Sequence, residues 1–121
     1  MFRLRQDHVD AFEGAALDDF LSLGVAHLRS HLAAETKPFT DDELKLRIRQ
    51  CIKRAYPYGL ATEPQVMTFV DATYLAGEQF DQDPRCSAAR QLLDDPTASP
   101  ETKATLLLLM LPVGVGDVSD G

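Results

Sequence analysis

Cysteine and long apolar runs are both scarce in this sequence. Cys51 and Cys86 are its two cysteines, and they lie far apart with no paired motif around them. A zinc ribbon, a redox motif and a disulfide framework are therefore not indicated, and we expect two reduced thiols. No stretch reaches the ~18 apolar residues of a membrane span, and the start MFRLRQDHVDAF lacks the apolar core of a signal peptide. We expect a cytoplasmic protein without a membrane span.

Basic charge is also scarce, above all in the second half of the chain. The net charge is −7; residues 1–59 hold nine basic and nine acidic groups, whereas residues 60–121 hold three and ten. A nucleic-acid-binding protein would cluster Lys and Arg within a basic overall balance, so nucleic acid is not the expected partner. The 121 residues, 45% hydrophobic and 26% charged, are typical of one soluble globular domain.

Known catalytic motifs are missing as well: there is no glycine-rich phosphate loop, no GxSxG and no HExxH. His27 and His31 are one helical turn apart, which suits two ligands of one metal, but no third ligand is near in sequence. A hydrogen-bonded core histidine is the commoner explanation of His27. Asp81 and Asp83 lack the spacing of a calcium loop and indicate a helix stop. We predict no catalytic residue, no metal and no cofactor.

The strongest helix start is at Thr62. Thr62 and Gln65 form a capping box, and Pro64 suits the first turn. Gly77 lies on the apolar face, where it predicts a close approach of another helix, and Asp83 ends the helix because it precedes a proline. The apolar face, at steps of three and four, comprises Val66, Phe69, Val70, Thr73, Tyr74, Gly77 and Phe80.

Two amphipathic helices are predicted before this one. The first runs from near Asp7 to about residue 32, and its apolar stripe comprises Val9, Phe12, Ala16, Leu17, Phe20, Leu23, Gly24, His27 and Leu28. A second capping box, Thr40 with Glu43, begins the next helix, which ends before Tyr56 because Pro57 follows. Its predicted buried face comprises Leu44, Ile48, Cys51, Ile52 and Ala55.

Two shorter helices follow. Residues 86–94 form one helix whose inward positions are Ala89, Leu92 and Leu93, and Ser99 and Pro100 begin the last helix. We therefore predict an all-α single domain of about five helices in residues 1–112, with orthogonal or bundle-like packing, and a flexible C-terminal tail in residues 113–121.

Two surfaces are candidate partner sites. The basic ridge consists of Lys45, Leu46, Arg49 and Lys53, three cations at helical spacing around one leucine. It is either a solvated helix face that pairs with the acidic second half of the chain or a contact for an acidic partner. Residues 106–111 are apolar without a break, so either the other helices enclose them or part of them meets another chain. The predicted partner-binding residues are Lys45, Leu46, Arg49, Lys53, Leu107, Leu108 and Leu111.

Three segments together resemble a known group of proteins. These are RIRQCIKRAYPYGL, then TEPQVMTFVDATYLAGEQFDQDP, then a short helix with a leucine-rich end. The combination is similar to small helical proteins from gene clusters that encode type VI secretion spike components and their toxins, and it covers about residues 4 to 110. The resemblance implies an accessory, adaptor or immunity-like role and carries over no established catalytic residues.

We therefore expect a non-catalytic protein-binding accessory protein, namely an adaptor, chaperone or immunity-like protein of a type VI secretion or toxin cluster. Its expected partner is a toxin or spike component encoded nearby. A self-assembling structural subunit, and after it a small metal- or thiol-dependent enzyme, are the alternatives. The apolar last helix favours the two binding hypotheses, whereas a histidine–cysteine cluster in space would favour the enzyme.

Overall fold

Capping boxes begin two long helices at the threonines that the sequence predicts. The Thr40 hydroxyl accepts a hydrogen bond from the Glu43 amide, and the Glu43 carboxylate accepts one from the Thr40 amide. Thr62 and Gln65 form the same reciprocal pair. Because these bonds satisfy amides that have no partner inside the helix, each start is fixed by residues three positions apart.

The computed structural model describes residues 15–112, which form a single all-α domain, as predicted. Its helices are α1 (Ala15–His31), α2 (Ala33–Thr36), α3 (Asp41–Ala55), α4 (Glu63–Ala76), α5 (Ser87–Asp94) and α6 (Pro100–Leu107). Short 3-10 helices cover Tyr56–Tyr58, Phe80–Gln82, Pro84–Cys86 and Leu108–Met110. The single turn α2 adds to the five predicted helices. The helix start near Asp7, with Val9 and Phe12, and the tail in residues 113–121 lie outside the described residues.

Helix α4 lies at the centre and packs against α1, α2, α3 and α6. Phe69 of α4 is fully buried and lies 5.1 Å from the ring of Phe80, measured between ring centroids. The predicted buried face of α3 is confirmed, since all five of its residues are buried. On α5, Ala89 and Leu93 are buried, and Leu92 packs against the core from a partly buried position.

The predicted apolar stripe of α1 is wrong at two of its described residues, Ala16 and Leu23, which are exposed. Leu23 is 65% exposed, whereas Leu21 and Val25, which the stripe omits, are buried. The core face of α1 is therefore turned away from Leu23, because the helix packs on α3 along the line of Gly24. Leu23 lies instead at the edge of a surface groove.

The close helix crossing lies at Gly24 and not at Gly77. A Cβ atom added to Gly24 would stand 2.7 Å from Cδ1 of Ile48 on α3. Around Gly77 nothing lies within 4 Å of such an atom, and its φ of 118° places it where L-residues are strained. Gly77 therefore terminates α4 after Ala76, and Phe80 enters the core from the next 3-10 helix.

The leucine-rich end is divided between core and surface. Leu107 is 0% exposed and Leu111 is 8% exposed, so the expectation that these two residues reach a partner is wrong. After Leu107 the chain tightens into the 3-10 helix that carries Leu108, Leu109 and Met110 outward. Within residues 15–112, no helix combines the length and the apolar character needed to cross a membrane.

Candidate functional site

The basic ridge lies on the outer face of α3. Leu46 is 56% exposed, Arg49 and Lys53 are exposed, and Lys45 is partly exposed. The helix turns its other face, centred on Ile48, into the core. Among the described residues, none of the three ridge cations forms an ion pair.

Apart from Lys37, the other lysines and arginines of the described chain have ion-pair or hydrogen-bond partners. Ion pairs join Arg29 to Asp41, Arg54 to Asp81, Arg85 to Asp83 and Arg90 to Asp94. Arg47, which shares α3 with the ridge, donates to the carbonyl of Thr73 and lies 4.1 Å over the ring of Tyr74. The acidic second half of the chain therefore pairs with Arg54, Arg85 and Arg90 and leaves the ridge without a described counter-charge.

A polar network around Asp81 is absent from the sequence prediction. Asp81 is buried and accepts hydrogen bonds from Arg54 at 2.6 Å and from the Tyr58 hydroxyl at 2.8 Å. Burial alone would raise the pKa of Asp81, but the Tyr58 hydrogen bond and the Arg54 charge outweigh it and lower the pKa below 3.8. The sequence marks Asp81 only as part of a helix stop, since its partners lie 27 and 23 positions away.

A groove runs between α1 and α4. The α1–α4 groove has a volume of about 420 Å³ and is open to solvent along its length. It is lined by Phe20, Leu23, Gly24 and His27 from α1 and by Glu63, Pro64, Met67, Thr68 and Asp71 from α4. Along α4, Glu63 is the first and Asp71 the last of these lining residues. No lysine or arginine is among these lining residues.

His27 and Asp71 join the two walls of the groove. The His27 Nε2–H group donates to both carboxylate oxygens of Asp71, at 2.9 and 3.1 Å. The ring of His31 stacks on that of His27 with 4.6 Å between centroids, and its Nδ1–H donates to the His27 carbonyl. Burial raises the pKa of Asp71 despite the opposing effect of His27. The predicted histidine pair therefore meets a carboxylate from another helix.

Metal-ligating side chains do not form a metal site in the described chain, at His27, His31 and Asp71 or at any other place. No group of three or more His, Cys, Asp or Glu residues there is arranged to hold a metal ion. Cys51 and Cys86 are free and buried. Burial raises the pKa of the Cys51 thiol to about 11 and also raises that of Cys86. Both thiols are therefore held protonated, which is the unreactive form.

Known proteins supply no guide to these surfaces. No protein-family model, no curated protein and no solved structure matches the chain. Of the predicted partner-binding residues, the four of the basic ridge and Leu108 lie at the surface, and Leu107 and Leu111 lie in the core. Function is therefore inferred from the basic ridge and the α1–α4 groove themselves.

Proposed function

We propose that this chain is a non-catalytic protein-binding accessory protein and that the basic ridge is its docking surface for an acidic partner. The supporting observation is the set of three cations without described ion pairs around Leu46. In such a contact, charge accelerates encounter, and burial of the apolar side chain slows dissociation. The ridge spans the nine residues from Lys45 to Lys53, or ~12 Å of helix, which is about two helical turns.

The resemblance described above suggests the partner. It indicates a toxin or spike component of a type VI secretion cluster, encoded close to this chain, with an adaptor, chaperone or immunity-like role for the chain. Three cations are few for a phosphate backbone, which proteins contact with many Lys and Arg residues. An acidic protein surface with an apolar recess for Leu46 fits the ridge better.

The two thiols also support a role without catalysis. Cys51 and Cys86 are buried, and burial raises the pKa of each, so neither is prepared for nucleophilic attack. His27 donates to Asp71 rather than to a thiol. A thiol-dependent enzyme would need an exposed thiolate beside a base.

Binding kinetics with purified products of the neighbouring genes test the proposal. The triple variant Lys45→Glu/Arg49→Glu/Lys53→Glu should slow association and weaken its salt dependence, because the steering charge is reversed. The variant Leu46→Asp should mainly hasten dissociation. Leu109→Asp and Lys37→Glu, which change an exposed leucine and an exposed lysine off the ridge, are matched controls and should bind as wild type.

Thermal melts should show that both ridge variants fold, since these residues lie off the core. If the ridge variants bind every neighbouring product as wild type does, the basic ridge is a solvated helix face and the proposal fails.

Light scattering of the purified chain supplies a second check. A stable oligomer that Leu46→Asp dissociates would instead identify a self-assembling subunit.

A further inference from the structure

We propose that the α1–α4 groove binds an amphipathic helix of a partner protein, with an apolar stripe along the groove and lysine or arginine beside it. The groove shares no residue with the basic ridge. The proposal therefore adds a second docking surface to the one proposed above, and each stands without the other.

The shape of the groove suits a helix. Its α4 wall extends from Glu63 to Asp71, nine residues or ~12 Å of helix, which is about two turns. Two helical walls with a trough between them match the way an amphipathic helix lays its apolar face into a groove. Leu23 stands 65% exposed at the rim, so a docked helix would bury apolar surface that is now in water.

The volume sets how many side chains the occupant must supply. At ~30 Å³ for each water in the liquid, 420 Å³ holds about fourteen waters. A leucine side chain has only four heavy atoms, so one residue leaves most of the space wet. Three apolar side chains at positions i, i+3 or i+4, and i+7 of one helix lie on the same face and span two turns, which matches the length of the groove.

The charge of the groove selects a basic occupant. Glu63 makes no ion pair with a described residue, and Asp71 has only His27 as its described ionic partner. Asp19, which is exposed one turn before Leu23, adds a third carboxylate on the same side of α1 as Leu23. Lysine or arginine on the flanks of a docked helix would meet these carboxylates, whereas acidic flanks would be repelled.

The pKa of Asp71 also favours a basic occupant of the groove. Burial raises its pKa even though His27 donates to both of its oxygens. The carboxylate therefore has less compensating positive charge than its burial requires. A guanidinium or ammonium group from a docked helix would supply that charge.

A second copy of this chain is a poorer occupant. The surface basic helix that it offers is α3 with the basic ridge, which presents a single exposed leucine, Leu46, to a groove that needs about three anchors. A contact between the ridge of one copy and the groove of the next would also join two different surfaces. Such an assembly would not close, because one ridge and one groove would remain unoccupied at its ends. A helix from another protein can carry three apolar anchors, and its binding does not produce an open assembly.

Titration of the full chain with two designed peptides tests the proposal. One peptide is a stapled helix of ~15 residues with leucines at i, i+3, i+7 and lysines on both flanks, and the other has glutamate in place of each lysine. The lysine peptide should bind and the glutamate peptide should not. Leu23→Ser should weaken binding about tenfold or more, because an apolar anchor contact is lost. Glu63→Gln should weaken it about threefold and flatten its salt dependence.

The matched controls are Leu109→Ser, which removes an equally exposed leucine elsewhere, and the triple charge reversal of the basic ridge. Both variants should bind the lysine peptide as wild type does. The peptide therefore tests the groove proposal separately from the ridge proposal, and one can fail without the other. Equal binding of the two peptides, or unchanged binding by a folded Leu23→Ser variant, would overturn the proposal.

Two further outcomes would assign the groove to another occupant and also overturn it. Light scattering that finds a dimer lost in Leu23→Ser would show that a second copy covers the groove. Arg3 and Arg5 lie outside the described residues, in a segment that also contains Phe2 and Leu4. If Arg3→Glu/Arg5→Glu strengthens binding of the lysine peptide, the chain's own N-terminal residues occupy the groove.

Discussion

Asp81 connects three parts of the fold through one buried carboxylate. Arg54 lies in the last turn of α3, Tyr58 lies in the following 3-10 helix, and Asp81 itself follows α4. Arg90 of α5 donates to the carbonyl oxygen of the same residue. Since buried charge is costly without a partner, each of these bonds constrains where the neighbouring element can lie.

Replacing Asp81 by alanine should lower the free energy of unfolding by about 3 kcal/mol. The change leaves Arg54 and the Tyr58 hydroxyl without their acceptor, and Arg54 is only partly exposed, so the effect lies at the low end for breaking a buried pair. Urea titration measures it. Asp94→Asn, which removes an exposed i,i+4 pair with Arg90, is the control and should cost less than about 0.5 kcal/mol.

The effect of Asp81→Ala should depend on pH. The folded pKa of Asp81 lies below its ordinary value of 3.8, so its contribution is complete above pH 3.8 and is lost as pH falls through the lowered pKa. The difference between wild type and Asp81→Ala should therefore shrink in acid. A constant difference from neutral pH to the acid limit would contradict the network.

The thiol of Cys51 should be unreactive in the folded protein. Burial raises its pKa from 9.0 to about 11, so the folded thiol keeps its proton where the unfolded thiol ionises. The free energy of unfolding should fall as pH rises from about 9 to about 11, and Cys51→Ala should make that slope smaller. Thiol titration at pH 8 should label Cys51 only as fast as the protein opens. Immediate labelling of two thiols in the native state would contradict this.

Helix α1 packs closely on α3 because Gly24 has no side chain. With no Cβ at Gly24, Ile48 approaches the backbone of α1, while Met67 of α4 lies on the same glycine from the groove side, 3.4 Å from the position of an added Cβ. Gly24 therefore belongs both to the α1–α3 crossing and to the floor of the α1–α4 groove. A larger residue at position 24 would alter both.

Gly24→Ala should lower the free energy of unfolding by about 1 kcal/mol. The added methyl group overlaps Cδ1 of Ile48, which costs about 1–3 kcal/mol, and the gain in helix propensity of about 1 kcal/mol offsets part of it. Ile48→Val removes Cδ1, so it should cost about 1 kcal/mol in wild type and little in the Gly24→Ala background. A double-mutant cycle measures the coupling. Simple additivity would show that the crossing is looser than the geometry indicates.

The whole molecule depends on the aromatic centre of α4. Phe69 touches Phe80, stacks with Tyr58 at 6.1 Å between centroids and lies under the Arg54 guanidinium at 5.2 Å. The core and the Asp81 network therefore meet at one ring. At the surface, the basic ridge, which forms no ion pair with a described residue, and the carboxylates of the α1–α4 groove lie on different helices.

Phe69→Ala should lower the free energy of unfolding by about 3–5 kcal/mol, since it empties a fully buried site. Leu23→Ala, at a residue 65% exposed, should cost less than about 0.5 kcal/mol. Urea melts of the two variants compare core and surface in the same protein. A loss below about 1 kcal/mol for Phe69→Ala would place the α4 face at the surface.

Local sequence determined where α3 and α4 begin and which face of α3 is buried. Capping boxes at Thr40 and Thr62 join residues three positions apart, and helical period links residues three or four apart, so no other part of the chain is needed. The all-α class follows from these signals repeated along the chain.

Tertiary structure decided the exposure of Leu23, the crossing at Gly24 and the polar links between distant elements, of which two are examples. His27 and Asp71 lie 44 positions apart, and Arg54 and Asp81 lie 27 apart. Helical period shows that Leu23 and Gly24 are near the same face, but only the neighbour decides which of them faces it. The charge count likewise marks the second half as acidic without showing that its carboxylates pair with Arg54, Arg85 and Arg90 and that none of the carboxylates in residues 15–112 pairs with the basic ridge. These outcomes depend on which helices meet, and contacts between distant residues set that after the local elements have formed.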